Sequence, residues 1–261
     1  MTVRSAAVLG EVLPLVLVHG IGADGRMFTP VVERLAGAAH FIVWNLPGYG
    51  GKPLDGPLTF PGLAAALAAD LDALGIDSAV LLGHSIGGMV VQELAATSPQ
   101  RARALILSAT TAVFGSRDGS FQREFLQARL GPLDAGRTMA QLAAEAAPRL
   151  VGSAAAPEAA PGLVRLMSQV PEATFRAAVQ CLVTFDRRAD LVRIAVPTLL
   201  IAGDEDTNAP LKTMTHMAEA IPSARLEVLS RTGHMAPLEC PDRYADIVRR
   251  FLAESAAEGE G

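Results

Sequence analysis

Gly83-His84-Ser85-Ile86-Gly87-Gly88 is the stretch on which the reading of this chain turns. It follows the apolar run Ala79-Val80-Leu81-Leu82 and leads into Met89-Val90-Val91-Gln92-Glu93-Leu94-Ala95. The first run has the length and composition of a buried strand, and the second repeats apolar residues at helical spacing. A serine flanked by glycines therefore stands at a strand-to-helix junction, in the G-x-S-x-G pattern of a nucleophile elbow. A turn that tight brings together the positions two before and two after the serine, so glycine is required at 83 and 87. The turn also lifts the Ser85 hydroxyl clear of the main chain. There it meets a helix N-terminus, whose unpaired N–H groups favour developing negative charge. Ser85 is the candidate nucleophile.

Outward from the elbow, short apolar runs alternate with amphipathic stretches. Strands are expected at 15–18, 41–44, 79–82, 104–107, 198–202 and 225–229, with helices near 27–35, from Thr59 as cap to about 74, after the elbow, and at 244–252. This alternation predicts an α/β fold with a mainly parallel central sheet flanked by helices. From Ser108 to Val196 the strand rhythm stops. Residues 112–190 carry alanine-rich helical patterns, expected to break at Gly131-Pro132, Gly152, Pro157 and Pro161-Gly162, with a last helix opened by Pro171 and running to Phe185. The chain thus divides into a first core part at 1–111, a helical cap at 112–190 and a second core part at 191–261. A cap inserted between two core strands suits the strand C-termini, where open α/β sheets bind ligands. The tail from Glu254 onward is expected to fray.

Composition narrows the function classes. The 261 residues are half apolar and carry 22 basic and 27 acidic side chains, for a net charge of −5. No basic cluster stands out, which argues against nucleic acid as a partner. No apolar stretch reaches membrane-spanning length, so no membrane partner is expected. The apolar run 12–18 after Arg4 contains Pro14 and continues straight into His19-Gly20, so it reads as a core strand and not as a secretory signal. Cys181 and Cys240 have no metal-ligand spacing and read as reduced thiols of a cytoplasmic protein.

A serine hydroxyl is a weak nucleophile at neutral pH and needs a base, which in turn needs an orienting carboxylate. Of five histidines, His234 in Thr232-Gly233-His234-Met235-Ala236-Pro237 lies between a strand and the final helix, on a loop at the expected active edge. His19 suits a turn brace, His84 the flank of the elbow, and His40 and His216 surface positions. His234 is the candidate base. The carboxylate is expected in Gly203-Asp204-Glu205-Asp206-Thr207, directly after a strand, where spacing alone leaves Asp204, Glu205 and Asp206 open.

Four linked motifs now resemble the α/β-hydrolase superfamily in its serine branch: His19-Gly20-Ile21-Gly22, Leu46-Pro47-Gly48-Tyr49-Gly50, Gly83 to Gly88, and Gly203-x-x-Asp206 with Gly233-His234. The resemblance implies a catalytic triad of Ser85, Asp206 and His234. It also implies an oxyanion hole from the backbone N–H groups of Ile86 and Ile21, and no cofactor or metal. Ser85 at the elbow sets the chain apart from the aspartate-nucleophile dehalogenases and epoxide hydrolases. The segment from Phe185-Asp186-Arg187-Arg188 to Ile194-Ala195-Val196-Pro197 is similar to 3-oxoadipate enol-lactonases and neighbouring carboxylesterases, although Ile86 replaces the methionine common in that group.

The resemblance implies a small-molecule carboxylic ester or lactone as substrate, with C–C hydrolysis of an aromatic ring-cleavage product, or ligand binding without catalysis, as alternatives. Asn45 stands where the family often has aspartate and is expected to accept the same turn hydrogen bonds. Relatives usually carry a longer β-hairpin before the first core strand, so that edge of the sheet is expected to be short. Arg123, Arg129, Arg137, Arg149, Arg165, Arg176, Arg187 and Arg188 of the expected cap read as solvated helix faces or as carboxylate clamps. Phe114, Phe121, Phe125, Leu166, Met167 and Phe175 read as an acyl pocket or as packing within the cap. Substrate identity and oligomeric state are open at this level.

Overall fold

Six apolar runs become the strands of one sheet in the computed structural model, which describes residues 13–258: β1 (Pro14–Val18), β2 (His40–Trp44), β3 (Ala79–His84), β4 (Ala102–Ser108), β5 (Thr198–Gly203) and β6 (Ala224–Leu229). Every adjacent pair is parallel and the order is β2-β1-β3-β4-β5-β6. Strand β3, in the middle, is buried at every position, while the edge strands β2 and β6 each expose residues. Side chains alternate across the sheet because successive residues of a strand point to opposite faces. Leu15, Leu17, Val80, Leu82 and Ile106 lie on one face, packed with helices α1 (Thr29–Arg34), α9 (Ala236–Glu239) and α10 (Pro241–Glu258). Val16, Val18, Leu81, Leu105 and Leu107 lie on the other, with α2 (Phe60–Ala73), α3 (Ile86–Thr97) and α8 (Leu211–Ala220). Thr59 caps α2 by accepting the Gly62 N–H at 3.2 Å, as its sequence position predicted.

Strand order reverses between β1 and β3, which places a crevice outside their C-terminal ends. Val18 of β1 pairs with Gly83 of β3, so the loop after β1 and the elbow after β3 emerge side by side. Four helices separate β4 from β5: α4 (Ser120–Asp134), α5 (Met139–Leu150), α6 (Ala159–Ser168) and α7 (Glu172–Leu182). The two ends of this insertion meet in an isolated bridge between Val113 and Asp186. Below the bridge, Arg187 grips the buried Glu93 of α3 through two hydrogen bonds of 2.6 and 2.5 Å. The insertion is thereby fastened to the helix that begins at the elbow.

Three expectations need correction. Gly131-Pro132 does not break its helix, because Pro132 falls in the last turn of α4 and removes only one internal bond there. Pro161-Gly162 lies inside the first half of α6, where a missing N–H is tolerated in the opening turn. The tail does not fray at Glu254: α10 continues to Glu258, with Phe251 and Leu252 buried and Glu254 paired with Arg225, while the last part of the expected tail, 259–261, lies outside the described residues. The expected short leading edge and the segment around Arg4 fall in residues 1–12, outside the described residues. No helix among the described residues is long and apolar enough to cross a membrane.

The Glu93–Arg187 pair generates a prediction about stability. Glu93 is 3 % exposed and Arg187 29 %, so Glu93→Gln leaves a guanidinium half in the protein with only Asp190, at 3.2 Å, as counter-ion. Urea denaturation is expected to show a loss of about 2–3 kcal/mol, below the figure for a fully buried pair because Arg187 retains some water. The double variant with Arg187→Gln is expected to lose less than the sum of the single losses.

Candidate active site

The loop leaving β1 is braced from behind. Leu46 N–H donates to Nε2 of the buried His19 at 3.1 Å, so the proton of this imidazole sits on Nδ1, which donates to the Gly20 carbonyl at 2.8 Å. Burial pushes the His19 pKa down to about 4, against small opposing contributions from the Gly20 carbonyl and Asp24. The ring is therefore neutral near pH 7 and ties the loop after β1 to the turn after β2. The Tyr49 hydroxyl donates to the Ile21 carbonyl at 3.0 Å. Asn45 accepts the Gly25 N–H at 2.7 Å, a bond to the loop after β1 and not the bond within its own turn expected of it. The N–H of Ile21 has no acceptor among the described residues.

At the elbow, Ser85 adopts φ 55°, ψ −122°, a conformation that costs a non-glycine residue about 1–3 kcal/mol. Four hydrogen bonds hold it. Ser85 N–H donates to the Ser108 carbonyl at 2.9 Å, while the Ser85 carbonyl accepts the Thr110 hydroxyl at 2.8 Å and the N–H groups of Gly88 and Met89 at 2.9 and 3.3 Å. A Cβ at Gly83 would run into the backbone of Gly87, and one at Gly87 into the carbonyl of Val18. A Cβ at Gly20 would lie 3.3 Å from that of Ser85, which measures how closely the two loops approach. Ile86 opens α3 with its N–H lacking an acceptor among the described residues.

The three acids after β5 diverge. Asp204 is exposed and accepts the Thr232 N–H at 3.3 Å. Glu205 reaches the insertion, accepting the Ser153 N–H at 2.6 Å and its hydroxyl at 2.8 Å. Asp206 alone turns inward: Oδ2 lies 2.8 Å from His234 Nδ1, and Oδ1 accepts the N–H groups of Asn208 and Ala209 at 2.7 and 3.0 Å. Burial pushes the Asp206 pKa up, but His234 and the two backbone donors outweigh it and hold the carboxyl below its ordinary value. An ionised carboxylate can only accept, so the His234 proton is on Nδ1 and the lone pair is on Nε2. His84, fully buried, stacks at a tilt 5.1 Å from the His234 ring, and burial with the neighbouring His234 pushes its pKa well down.

Sequence reasoning missed Glu239. Its carboxylate is buried and accepts three backbone N–H groups, from Gly233 (2.8 Å), Met235 (2.7 Å) and Gly152 of the insertion (2.7 Å). It therefore clamps the residues on both sides of His234, whose own N–H donates to the Leu150 carbonyl at 2.8 Å. The signal available was an acid set directly between the apolar run Met235-Ala236-Pro237-Leu238 and Cys240, where a charge survives only if it is fully paired.

Ser85, His234 and Ile21 line one cavity of about 540 Å³. Its far walls come from the insertion, where Phe114, Phe121, Phe125, Met167 and Phe175 face it. Leu166 instead packs in the hydrophobic cluster that includes Leu15 and Leu17. His40 and His216 are exposed, as their sequence positions suggested, and Cys181 and Cys240 are free.

Residues 15–247 match the model of the Alpha/beta hydrolase family. The chain is 33 % identical over 253 residues to a pimeloyl-acyl-carrier-protein methyl ester esterase of Xanthomonas campestris pv. campestris, a match covering 94 % of this chain and 97 % of that one. Its structure is similar to a thermophilic esterase from Thermogutta terrifontis, with TM-score 0.86, 28 % identity, and 95 % and 92 % of the two chains covered. It is also similar to the enol-lactonase from Burkholderia xenovorans, with TM-score 0.81, 25 % identity, and 94 % and 92 % covered.

Two predictions follow from this geometry. Glu239→Gln sets an amide NH2 against backbone donors and is expected to lower stability by about 1–3 kcal/mol in urea denaturation. For His19, whose pKa falls from 6.5 to about 4 on folding, the unfolded chain binds the proton more readily. Its contribution to stability is complete above about pH 6.5 and is lost as pH falls toward about 4. His19→Gln is expected to flatten that part of the stability–pH curve, measured by urea unfolding at successive pH values.

Proposed function

The chain belongs to the alpha/beta hydrolase family, and on that footing we propose that it is a serine hydrolase cleaving a small carboxylic ester or lactone through an acyl-enzyme. The observation that carries this reading is the 2.8 Å Asp206–His234 hydrogen bond, on the wall of the cavity that also presents the strained Ser85. In the proposed reaction, Ser85 Oγ attacks the substrate carbonyl as His234 Nε2 takes its proton. The ionised Asp206 keeps the other proton on Nδ1 and stabilises the imidazolium that forms. The unpartnered N–H groups of Ile21 and Ile86 receive the oxyanion, each contributing roughly 2.7–4 kcal/mol in the transition state.

His234 then protonates the leaving alkoxide and activates the water that releases the acyl group. Helices α4–α7 act as a cap that excludes bulk water from these steps, and the division at 112 and 190 marks its limits. Burial keeps His19 and His84 neutral, so neither opposes the charge that develops on His234. A cytoplasmic location is in keeping with the two free cysteines.

Labelling with a fluorophosphonate, read by intact mass, tests the assignment. One adduct is expected in the native protein and none in Ser85→Ala. Asp206→Asn is expected to keep the fold and to lower kcat on p-nitrophenyl esters by about ten-thousand-fold, the scale of a wrong histidine tautomer. Unchanged turnover in Ser85→Ala would overturn the proposal. Absence of labelling in the native protein would favour a binding role on the same fold.

A further inference from the structure

We propose that the substrate carries a second, ionised carboxylate, and that Arg129, with Arg149 beside it, holds that group at the cap side of the cavity. This deepens the hydrolase reading above and rests on it. The arginines of the insertion differ in their partners: Arg123 donates to the Asp118 carbonyl at 3.2 Å, and Arg165 lies 3.9 Å from Glu158. Arg137, Arg176, Arg187 and Arg188 each hold a protein carboxylate at 2.6–2.8 Å and serve the fold. Arg129 and Arg149 line the cavity that contains Ser85, and neither has a carboxylate or carbonyl partner among the described residues. Arg117 also lacks a partner but lies off the cavity wall, whereas Arg149, although exposed like Arg117, is on it, so position and pairing together single out the two.

Arg129 is half-buried, with its guanidinium carbon 5.2 Å from the centroid of the Phe125 ring. On α4, Phe121, Phe125, Ala128, Arg129 and Pro132 share one face and all line the cavity. The guanidinium is thus drawn into a mainly aromatic wall, where it gives up water without gaining a counter-ion, and the like charge of Arg149 adds to the cost. A planar fork of donors in that position matches a carboxylate in two parallel hydrogen bonds. Glu145 also lines the cavity; Arg137 holds it at 2.8 Å and the Arg149 charge acts on it too, so it partly balances Arg149 and leaves Arg129 as the cation without a carboxylate beside it among the described residues. The Glu145 charge nearby suits a monoanion better than a dianion. Arg149 is chained to the reaction centre, since the carbonyl of the next residue, Leu150, accepts the His234 N–H. The apolar wall between the arginines and Ser85 suits a hydrocarbon segment linking carboxylate to scissile carbonyl. A half-ester of a dicarboxylic acid, or a lactone acid, has that shape.

The test compares mono-p-nitrophenyl glutarate, adipate, pimelate and suberate with the neutral pentanoate, hexanoate, heptanoate and octanoate esters. At low ionic strength the native protein is expected to favour the acid ester of the best-fitting length by about tenfold in kcat/KM, the scale of a charge-assisted pair. Arg129→Gln is expected to abolish that preference, mainly through KM, while turnover of the neutral esters stays within about twofold and so reports an intact fold and triad. Arg129→Lys is expected to retain part of it, and added salt to shrink it. A native preference for the neutral ester at every length, or an equal loss on both series in Arg129→Gln, would overturn the proposal while leaving the hydrolase reading standing. Hydrolysis of neither series would overturn the hydrolase reading, and the proposal with it.

Discussion

The backbone of the turn after β3 lies directly against the backbone that ends β1, with Gly87 facing the Val18 carbonyl. The rest of the structure depends on that approach. Parallel pairing of Val18 with Gly83 brings the two chain ends level, and the missing side chains at Gly20, Gly83 and Gly87 let them close. Only then do the N–H groups of Ile21 and Ile86, without acceptors among the described residues, stand beside one strained serine. A methyl group at Gly87 would have to displace main chain, which is far stiffer than a side chain.

A second constraint acts from the other side of the cavity. The His234 loop is not held by its own strand and helix alone. Leu150 and Gly152 of the insertion reach it, one directly and one through Glu239, while Glu205 ties Ser153 to the loop after β5. The insertion and the histidine loop therefore share one hydrogen-bond network with three carboxylates in it. Asp206 and Glu239, the buried ones, have their oxygens occupied by donors, which is the condition for keeping a charge inside a protein. The same rule makes Arg129 conspicuous, half-buried on the cavity wall with no acceptor among the described residues.

Electrostatically, the histidines near Ser85 divide by environment. His19 and His84 are fully buried with no carboxylate hydrogen-bonded to them among the described residues, and both are held neutral. His234 is the one that meets an ionised carboxylate and still touches the cavity. Burial distributes three chemically identical side chains between bracing and a site able to carry charge.

The fold was legible in the residues because its signals are local. Apolar runs of strand length, helical periodicity with Thr59 as a cap, and glycines around Ser85 each act within a few residues of themselves. The same locality explains the misjudged Gly131-Pro132, since whether proline breaks a helix depends on which turn it occupies. It also explains Glu254, whose order comes from Arg225 on a neighbouring strand. Asp204, Glu205 and Asp206 are adjacent and alike in sequence, and family resemblance, not spacing, pointed to Asp206. Only the chain's return through β6 shows which acid meets a histidine 28 residues later. Glu239 and Arg129 were hidden for a related reason. A side chain's charge is written in the sequence, but its partner, or its want of one, is a contact between segments that folding alone brings together.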